Sequence, residues 1–339
     1  MKIGSFDTAG RVLVVAEIGN NHEGDPAVAR RLVTAMADAG VDAVKLQVFR
    51  TEHYVSPRDA QRFARLKSFE LRPEDVHALA NYAHELGLLF IATPFDLQSV
   101  ALLEKKVDAF KVASGDITFM PLLDAIAAAR VPVILSSGGS TLDEIRAAMG
   151  RLRAGWSMSS TPGELAVLHC VSSYPVPIEQ ANLGAIGALA GELGVSVGYS
   201  DHVMGSDASL AAVALGARII EKHVTLDRHF SDFRDHQLSL EPDDMRDLVN
   251  RIRAVSAMLG GGEKIVQSCE RDSISAIRRS IAAARDLAVG ARIVLADVTW
   301  LRPRRGLEPG SEGAVVGRAL RKAVKAGDPI TEDDLESVV

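Results

Sequence analysis

Short apolar, β-branched runs alternate along this chain with longer stretches whose apolar residues recur every three or four positions. The runs are VLVVAEIG (12–19), DAVKLQVF (42–49), LLFIATPF (88–95), AFKVAS (109–114), PVILSSG (132–138), LAVLHCVSS (165–173), VSVGYSD (195–201) and ARIIEKHV (217–224). So little polar interruption predicts strands buried on both faces, as in a parallel sheet covered by helices. Between them, DPAVARRLVTAMADAG, RPEDVHALANYAHELG and LDEIRAAMGRLRAG carry helical spacing, each closing on a glycine suited to a helix end. Eight strand–helix units in about 260 residues predict an α/β fold, a closed (β/α)8 TIM barrel.

Such barrels place their working residues at the C-terminal ends of the strands. Polar residues recur at those ends here: Glu17, Lys45 with Gln47, Thr93, Lys111 with Ser114 and Asp116, Ser136, Ser172, Ser200 with His202, and His223. Any one of them could cap a helix, snorkel or bond a nearby carbonyl. Their recurrence at one end predicts a site.

After the last helical stretch, EPDDMRDLVNRIRAVSAMLGGGEK, Gly260 to Gly262 stop the helix. The expected organisation is a barrel over 1–264, a polar linker over 265–277, and a small β-rich module over 278–339. Turn glycines at Gly290, Gly306, Gly317 and Gly327 punctuate that module.

Composition narrows the function classes. The chain is 47% hydrophobic and 24% charged with a formal charge of −6, which gives no general attraction to nucleic acid or anionic membrane. No apolar run reaches the roughly 18 residues of a membrane span, and the MKIGSFDTAGR start has no apolar signal segment, so a cytoplasmic location is expected. The two cysteines, Cys170 inside an apolar run and Cys269 in a polar stretch, argue against a disulfide framework.

Lys45 and Lys111 lie in or beside apolar runs, where an ammonium is costly unless an anion meets it. Around one barrel mouth with Ser114, Ser136 and Ser200 they would hold a phosphate and a carboxylate together, as in a small phosphorylated acid. The alternatives are lysines that pair with Glu17 or Asp116 and only hold the barrel together, or a Schiff-base lysine. His202 and His223 close two adjacent strands and could bind a divalent ion, or could be unrelated loop histidines. His22, and the group His229, Asp235 and His236 in DRHFSDFRDH, are further candidates, whereas His169 in AVLHCV reads as a packed strand histidine.

The blocks AEIGNNHEGD, AVKLQ, ATPFD, FKVASGD, PVILSSGGST, LHCVSSYPVP, VGYSDH, GARIIEKHVTLDR and DHQLSLEP together resemble the sialic acid (N-acetylneuraminate) synthase family, over nearly the whole chain and in order. RRSIAAARDLAVG and LRPRRGLEPG resemble the antifreeze-like (SAF) domain that ends those enzymes. The resemblance implies condensation of phosphoenolpyruvate with an N-acetylated hexosamine, typically N-acetylmannosamine, to a nine-carbon 2-keto acid and phosphate. It implies Mn2+ or Mg2+ on His202 and His223, and phosphoenolpyruvate held by Lys45, Thr93, Lys111, Ser114, Ser136 and Ser200. Asp116 takes the place of the base that activates water, and Glu17 that of a group at the aldehyde end or a second acid/base. Asp235 matches a residue on the sugar hydroxyls, with Tyr174 along the same side and Gln47 and Ser172 among the binding positions. Arg302 matches an arginine that reaches the N-acyl group from the antifreeze-like domain of a partner, implying a domain-swapped homodimer.

Departures bear on the sugar. Ser172 stands where some members carry Asn, and Asp116 where some carry Glu. The RHFSDFRDH turn is bulkier than the usual Gly-Pro-Asp or Gly-Ser-Asp, so Phe233 or Arg234 could select another acceptor, including those leading to legionaminic or pseudaminic acid. Competing expectations are a synthase of seven- or eight-carbon keto acids from an aldose phosphate, and a non-catalytic glycan-binding protein.

Overall fold

A computed structural model describes residues 1–157 and 163–337. Its contacts divide the chain into Met1–Gly260 and Gly261–Val339. In the first unit, eight parallel strands close into a barrel: β1 (Leu13–Gly19), β2 (Ala43–Val48), β3 (Leu89–Pro94), β4 (Ala109–Val112), β5 (Val133–Ser136), β6 (Leu165–Cys170), β7 (Ser196–Asp201) and β8 (Ile219–His223), with β8 pairing back onto β1. The barrel expectation holds, and each apolar run contains one strand.

Two separate sets of apolar side chains explain the uninterrupted runs. Outward residues such as Val14, Val44, Phe90, Phe110, Val133, Val167 and Ile220 pack against the surrounding helices. Inward residues Leu13, Val15, Ala43, Ile91, Ala109, Ile134, Ala166, Leu168 and Ile219 fill the barrel at the N-terminal ends of the strands. A hairpin of Lys2–Ile3 and Phe6–Asp7 adds Ile3 to that plug. Because side chains alternate with period two, the next inward positions fall at the C-terminal ends. There the residues are polar.

The helices start and stop as their sequences require. Asp25 caps Pro26–Ala39 by accepting from the Ala27 N–H, and Thr141 with Glu144 forms a capping box on Leu142–Trp156. Tight ends of this kind put the strand-to-helix loops in defined places.

One buried ion pair sits outside the barrel interior. Lys222, between Glu221 and His223, points the opposite way and meets Asp201 at 3.1 Å, both side chains fully buried. Asp201 also accepts from the Val203 N–H at 2.8 Å and from Ser209 Oγ at 2.6 Å, which orders the chain around His202. Lys222→Met leaves that carboxylate buried without its cation. The variant should lose about 3–5 kcal/mol of stability, read as a lower urea midpoint at unchanged slope; a loss under about 1 kcal/mol would show that the hydrogen bonds alone suffice.

The second unit is small and β-rich. β9 (Ser280–Ala283) and β10 (Val298–Leu301) pair antiparallel, and isolated bridges such as Leu287 with Val324 and Leu320 with Leu335 extend the framework. Ile281, Leu287, Ile293, Val315, Leu320 and Ile330 form its core. Residues 265–277 are largely exposed and contain only short turns at Ser268–Glu270 and Ile274–Ile277.

Candidate functional site

Strand register assembles the polar layer. Glu17 is paired with Lys45 on β2 and with His223 on β8, Gln47 with Thr93, and Ser200 with Glu221. Paired residues of parallel strands point to the same side, so these side chains meet inside the barrel mouth. They line a cavity of about 800 Å³ together with Lys111, Ser114, Asp116, Ser136, Ser172, Tyr174, His202 and Asp235. Every expected site residue of the barrel is therefore in one place. Arg302 lies in the other unit, exposed and without an ion pair among the described residues.

The two lysines differ. Lys45 Nζ lies 2.8 Å from Glu221 and 3.4 Å from Glu17. Burial works against its ammonium, but the two carboxylates outweigh burial and raise its pKa. Lys111 Nζ donates to its neighbour's carbonyl, Val112 O, at 3.3 Å and comes no nearer than 3.8 Å to Glu221. Burial lowers its pKa to about 8 despite Glu221. Lys45 thus follows the ion-pair alternative, while Lys111 is the cation with binding capacity left.

Unused hydroxyls surround it. Thr93 Oγ1 and Ser136 Oγ are buried with no hydrogen-bond partner. Ser114 Oγ accepts from the Gly138 N–H at 3.0 Å. A buried, unpaired hydroxyl costs free energy unless something arrives to satisfy it. An oxyanion beside Lys111 would do so.

The carboxylates also separate. Burial raises the Glu17 pKa against the opposing Lys45, and Gln47 Nε2 donates to its Oε1 at 3.0 Å. For Glu221 burial is overcome by Lys111 and Lys45, which hold it ionised, and Ser200 Oγ donates to it at 2.8 Å. Asp116, half-buried, is raised to about 6 by burial, with Lys111 opposing. Opposed environments for neighbouring carboxylates mark groups suited to different acid and base tasks.

The histidine rings stand 5.5 Å apart. His202 Nδ1 is 2.9 Å from the Val171 carbonyl, which can only accept, so the proton sits on Nδ1 and the Nε2 lone pair is free. Burial, then His223, lowers the His202 pKa to about 3, and burial lowers that of His223, so both rings are neutral near pH 7. His223 Nδ1 and the nearby Asp235 Oδ1 are buried without hydrogen bonds. Neutral, desolvated imidazoles with unsatisfied atoms suit a divalent ion. Among the described residues no three His, Cys, Asp or Glu side chains already form a complete ligand set, so the remaining ligands would be substrate or water oxygens. Tyr174 packs its ring 4.1 Å from that of His202, with the Arg234 guanidinium 4.8 Å above the Tyr174 ring.

Other histidines go elsewhere. His22 accepts from the Gly24 N–H, His236 bonds Thr225, and neither lines this cavity; nor does His229. His169 is packed in its strand, bonded to the Ala181 carbonyl.

Sequence reasoning missed Glu221, although it lies two residues before His223 and so on the same face. It also missed Asn20, Tyr54, Arg62, Arg65 and Phe69. Those after β2 sit in a loop with the helix Ala60–Phe69, where no strand period marks them.

Comparison with known proteins places this architecture. Residues 32–264 match the model of the NeuB family, and residues 278–336 that of the SAF domain. The chain belongs to the NeuB family. NeuB-family relatives include the N,N'-diacetyllegionaminic acid synthase of Legionella pneumophila, 36% identical over 96% of this chain and 94% of that protein. The N-acetylneuraminate-9-phosphate synthase of Mus musculus is 30% identical over 96% and 92%. The crystal structure of the N-acetylneuraminic acid (sialic acid) synthetase from Leptospira borgpetersenii, in complex with citrate, covers 81% of this chain and 94% of that one, at 33% identity and a TM-score of 0.74. This NeuB-family chain is an enzyme, an acid synthase of the transferase type.

Proposed function

We propose that this enzyme condenses phosphoenolpyruvate with an N-acylated hexosamine to a nine-carbon 2-keto acid and inorganic phosphate. The observation that carries the reading is the buried Lys111 beside the unpartnered hydroxyls of Thr93 and Ser136, at the mouth that also holds the neutral pair His202 and His223. The finer product assignment is of the N,N'-diacetyllegionaminic type. Its support is that relatives bearing that name are 36% and 34% identical, against 31% for a pseudaminic acid synthase and 30% for the N-acetylneuraminate-9-phosphate synthases. The ring faces of Tyr54, Phe69 and Phe233 along the outer cavity would suit acetyl methyl groups.

In this mechanism Lys111, Thr93, Ser114 and Ser136 hold the phosphate and carboxylate of phosphoenolpyruvate, while Lys45 and Ser200 hold Glu221 ionised beneath it. Mn2+ or Mg2+ on His202 and His223 would supply Lewis-acid polarisation of the sugar aldehyde. The methylene carbon of phosphoenolpyruvate forms the new carbon–carbon bond to that aldehyde. Glu17, whose burial favours its protonated form, orients the aldehyde end and gives the proton its oxygen needs. Water adds at the electron-poor C2 and yields its proton to Asp116. Phosphate then leaves by carbon–oxygen cleavage, taking the proton of the C2 hydroxyl, which becomes the keto group, and exchange with solvent returns Asp116 and Glu17 to their starting forms. Asp235, Tyr174, Gln47 and Ser172 line the sugar side, and Arg302 is assigned to the N-acyl group across a swapped homodimer.

The deciding experiment measures phosphate release from phosphoenolpyruvate with Mn2+ across N-acetylmannosamine, diacetylated hexosamines and aldose phosphates, with mass detection of the keto acid. Turnover with a diacetylated sugar is expected. Turnover with an aldose phosphate alone would overturn the nine-carbon reading.

Gly138 supplies a separate check. A Cβ there would stand 2.3 Å from Ser172 Oγ, 2.9 Å from Ser114 Oγ and 3.2 Å from Cys170 Sγ. Gly138→Ala must therefore displace Ser114 Oγ of the anion pocket together with Ser172 on the sugar side, and calorimetry should show phosphoenolpyruvate affinity falling about 10-fold or more. Unchanged affinity would remove Ser114 from the phosphate site.

A further inference from the structure

We propose that the loop Asn20–Gly24, rather than contributing a metal ligand, sets the geometry of the acceptor half of the cavity, with Glu23 as its main positioning residue. The inference rests on the synthase reading for what the cavity binds. Its geometric basis is independent of that reading.

Successive residues of this loop reach different walls. Asn20 Nδ2 donates to Gln47 Oε1 at 2.9 Å, on the cavity surface. Asn21 Nδ2 donates to the Val224 carbonyl at 2.8 Å and to Ser239 Oγ at 3.0 Å, and Ser239 Oγ in turn donates to the Asp235 carbonyl. His22 closes the loop on itself by accepting from the Gly24 N–H at 3.0 Å.

Glu23 makes the decisive contacts. Its carboxylate accepts from Ser231 Oγ and lies 3.3 Å from His236 Nε2, while His236 Nδ1 is 2.7 Å from Thr225 Oγ1. Ser231 and His236 bracket Asp232, Phe233, Arg234 and Asp235, the four residues by which the turn after β8 lines the acceptor side. Glu23 adopts φ 47°, a left-handed conformation that is strained for a non-glycine residue. The chain tolerates that conformation where it aims this carboxylate at the turn.

Gly24 fixes the opposite wall. With φ 85° and a would-be Cβ only 2.0 Å from the Ser68 carbonyl, it lets the loop press directly on the end of the helix Ala60–Phe69. That helix brings Arg62, Arg65 and Phe69 to the cavity, and the Phe69 and Phe233 rings meet edge-on at 5.2 Å. One loop thus registers both walls of the acceptor space against each other. Glu23 itself does not line the cavity, so it acts through the turn.

The test compares Glu23→Ala and Glu23→Gln with the unaltered full-length enzyme in Mn2+, by steady-state kinetics and by hydrogen exchange of peptides covering 228–238. For Glu23→Ala the sugar KM should rise about 10- to 100-fold while the phosphoenolpyruvate KM stays within about 2-fold. Exchange over 228–238 should quicken while that over 280–301 stays unchanged. Glu23→Gln, which keeps an oxygen to accept from Ser231, should recover most of the sugar KM. Equal rises in both KM values, or unchanged exchange over 228–238, would overturn the proposal. If the unaltered enzyme turns over no acylated sugar, the synthase reading fails, and the exchange comparison still decides whether Glu23 holds the turn.

Discussion

His223→Ala is expected to lower turnover roughly 1000-fold, equivalent to about 4 kcal/mol of lost transition-state stabilisation. His223 is buried, neutral and carries an unpaired Nδ1, and its ring lies 5.5 Å from that of His202, whose own Nδ1 is committed to the Val171 carbonyl. A pair so arranged has lone pairs to offer and no competing internal partner for them. Alanine removes one donor and leaves the other too weak to hold a divalent ion alone. A Mn2+ titration followed by electron paramagnetic resonance reads this without any activity: the unaltered enzyme should show bound ion, and the variant should not. The barrel should stay folded, because His223 ends β8 at the polar mouth and belongs to neither apolar core. Full turnover by the variant in the presence of a chelator would eliminate the metal role.

Asp116→Asn should cost about 100- to 10,000-fold in kcat, the usual span for removing a positioned base. The pH profile makes the assignment specific. Burial lifts Asp116 to about 6 despite Lys111, so the free enzyme gains its base as pH rises through 6. Burial lowers Lys111 to about 8 despite Glu221, so the free enzyme loses its anion-binding cation as pH rises through 8. The profile of kcat/KM for phosphoenolpyruvate should therefore be a bell with limbs near 6 and 8, since that ratio reports groups of the free enzyme. The bound anion restores the charge of Lys111, which moves the alkaline limb of kcat upward. In Asp116→Asn the enzymic acid limb should vanish and the alkaline limb persist. An acid limb unchanged in the variant would transfer the base role to another group, Glu17 first.

The fold was legible because the signal it needs is local. A strand of a helix-covered parallel barrel is buried on both faces, so its whole length reads as apolar, and VLVVAEIG or LAVLHCV announces itself without knowledge of its neighbours. The site was legible in part for the same reason: a lysine or histidine ending such a run has few places to go except the mouth. Glu221 carries the same signal, two residues before His223, beside an oppositely charged Lys222 in IIEKH. Alternation sends Glu221 inward to Lys45 and Lys111, and Lys222 outward to Asp201.

By itself, then, the sequence determined the barrel, the end of it that is polar, and the side chains available there. Only the tertiary structure decided how those side chains divide their work. The charge of Lys45 is balanced because closure of the barrel brings it 2.8 Å from Glu221, while Lys111, two strands further round, comes no nearer than 3.8 Å to that carboxylate and keeps its charge for a ligand. Likewise GNNHEGD offers a histidine that looks like a ligand, yet folding turns His22 into a brace within the loop and Glu23 into a clasp on Ser231, 208 positions away. Spacing along a chain reports which face a residue takes; which partner it finds there depends on distances between segments that the chain brings together only when it closes.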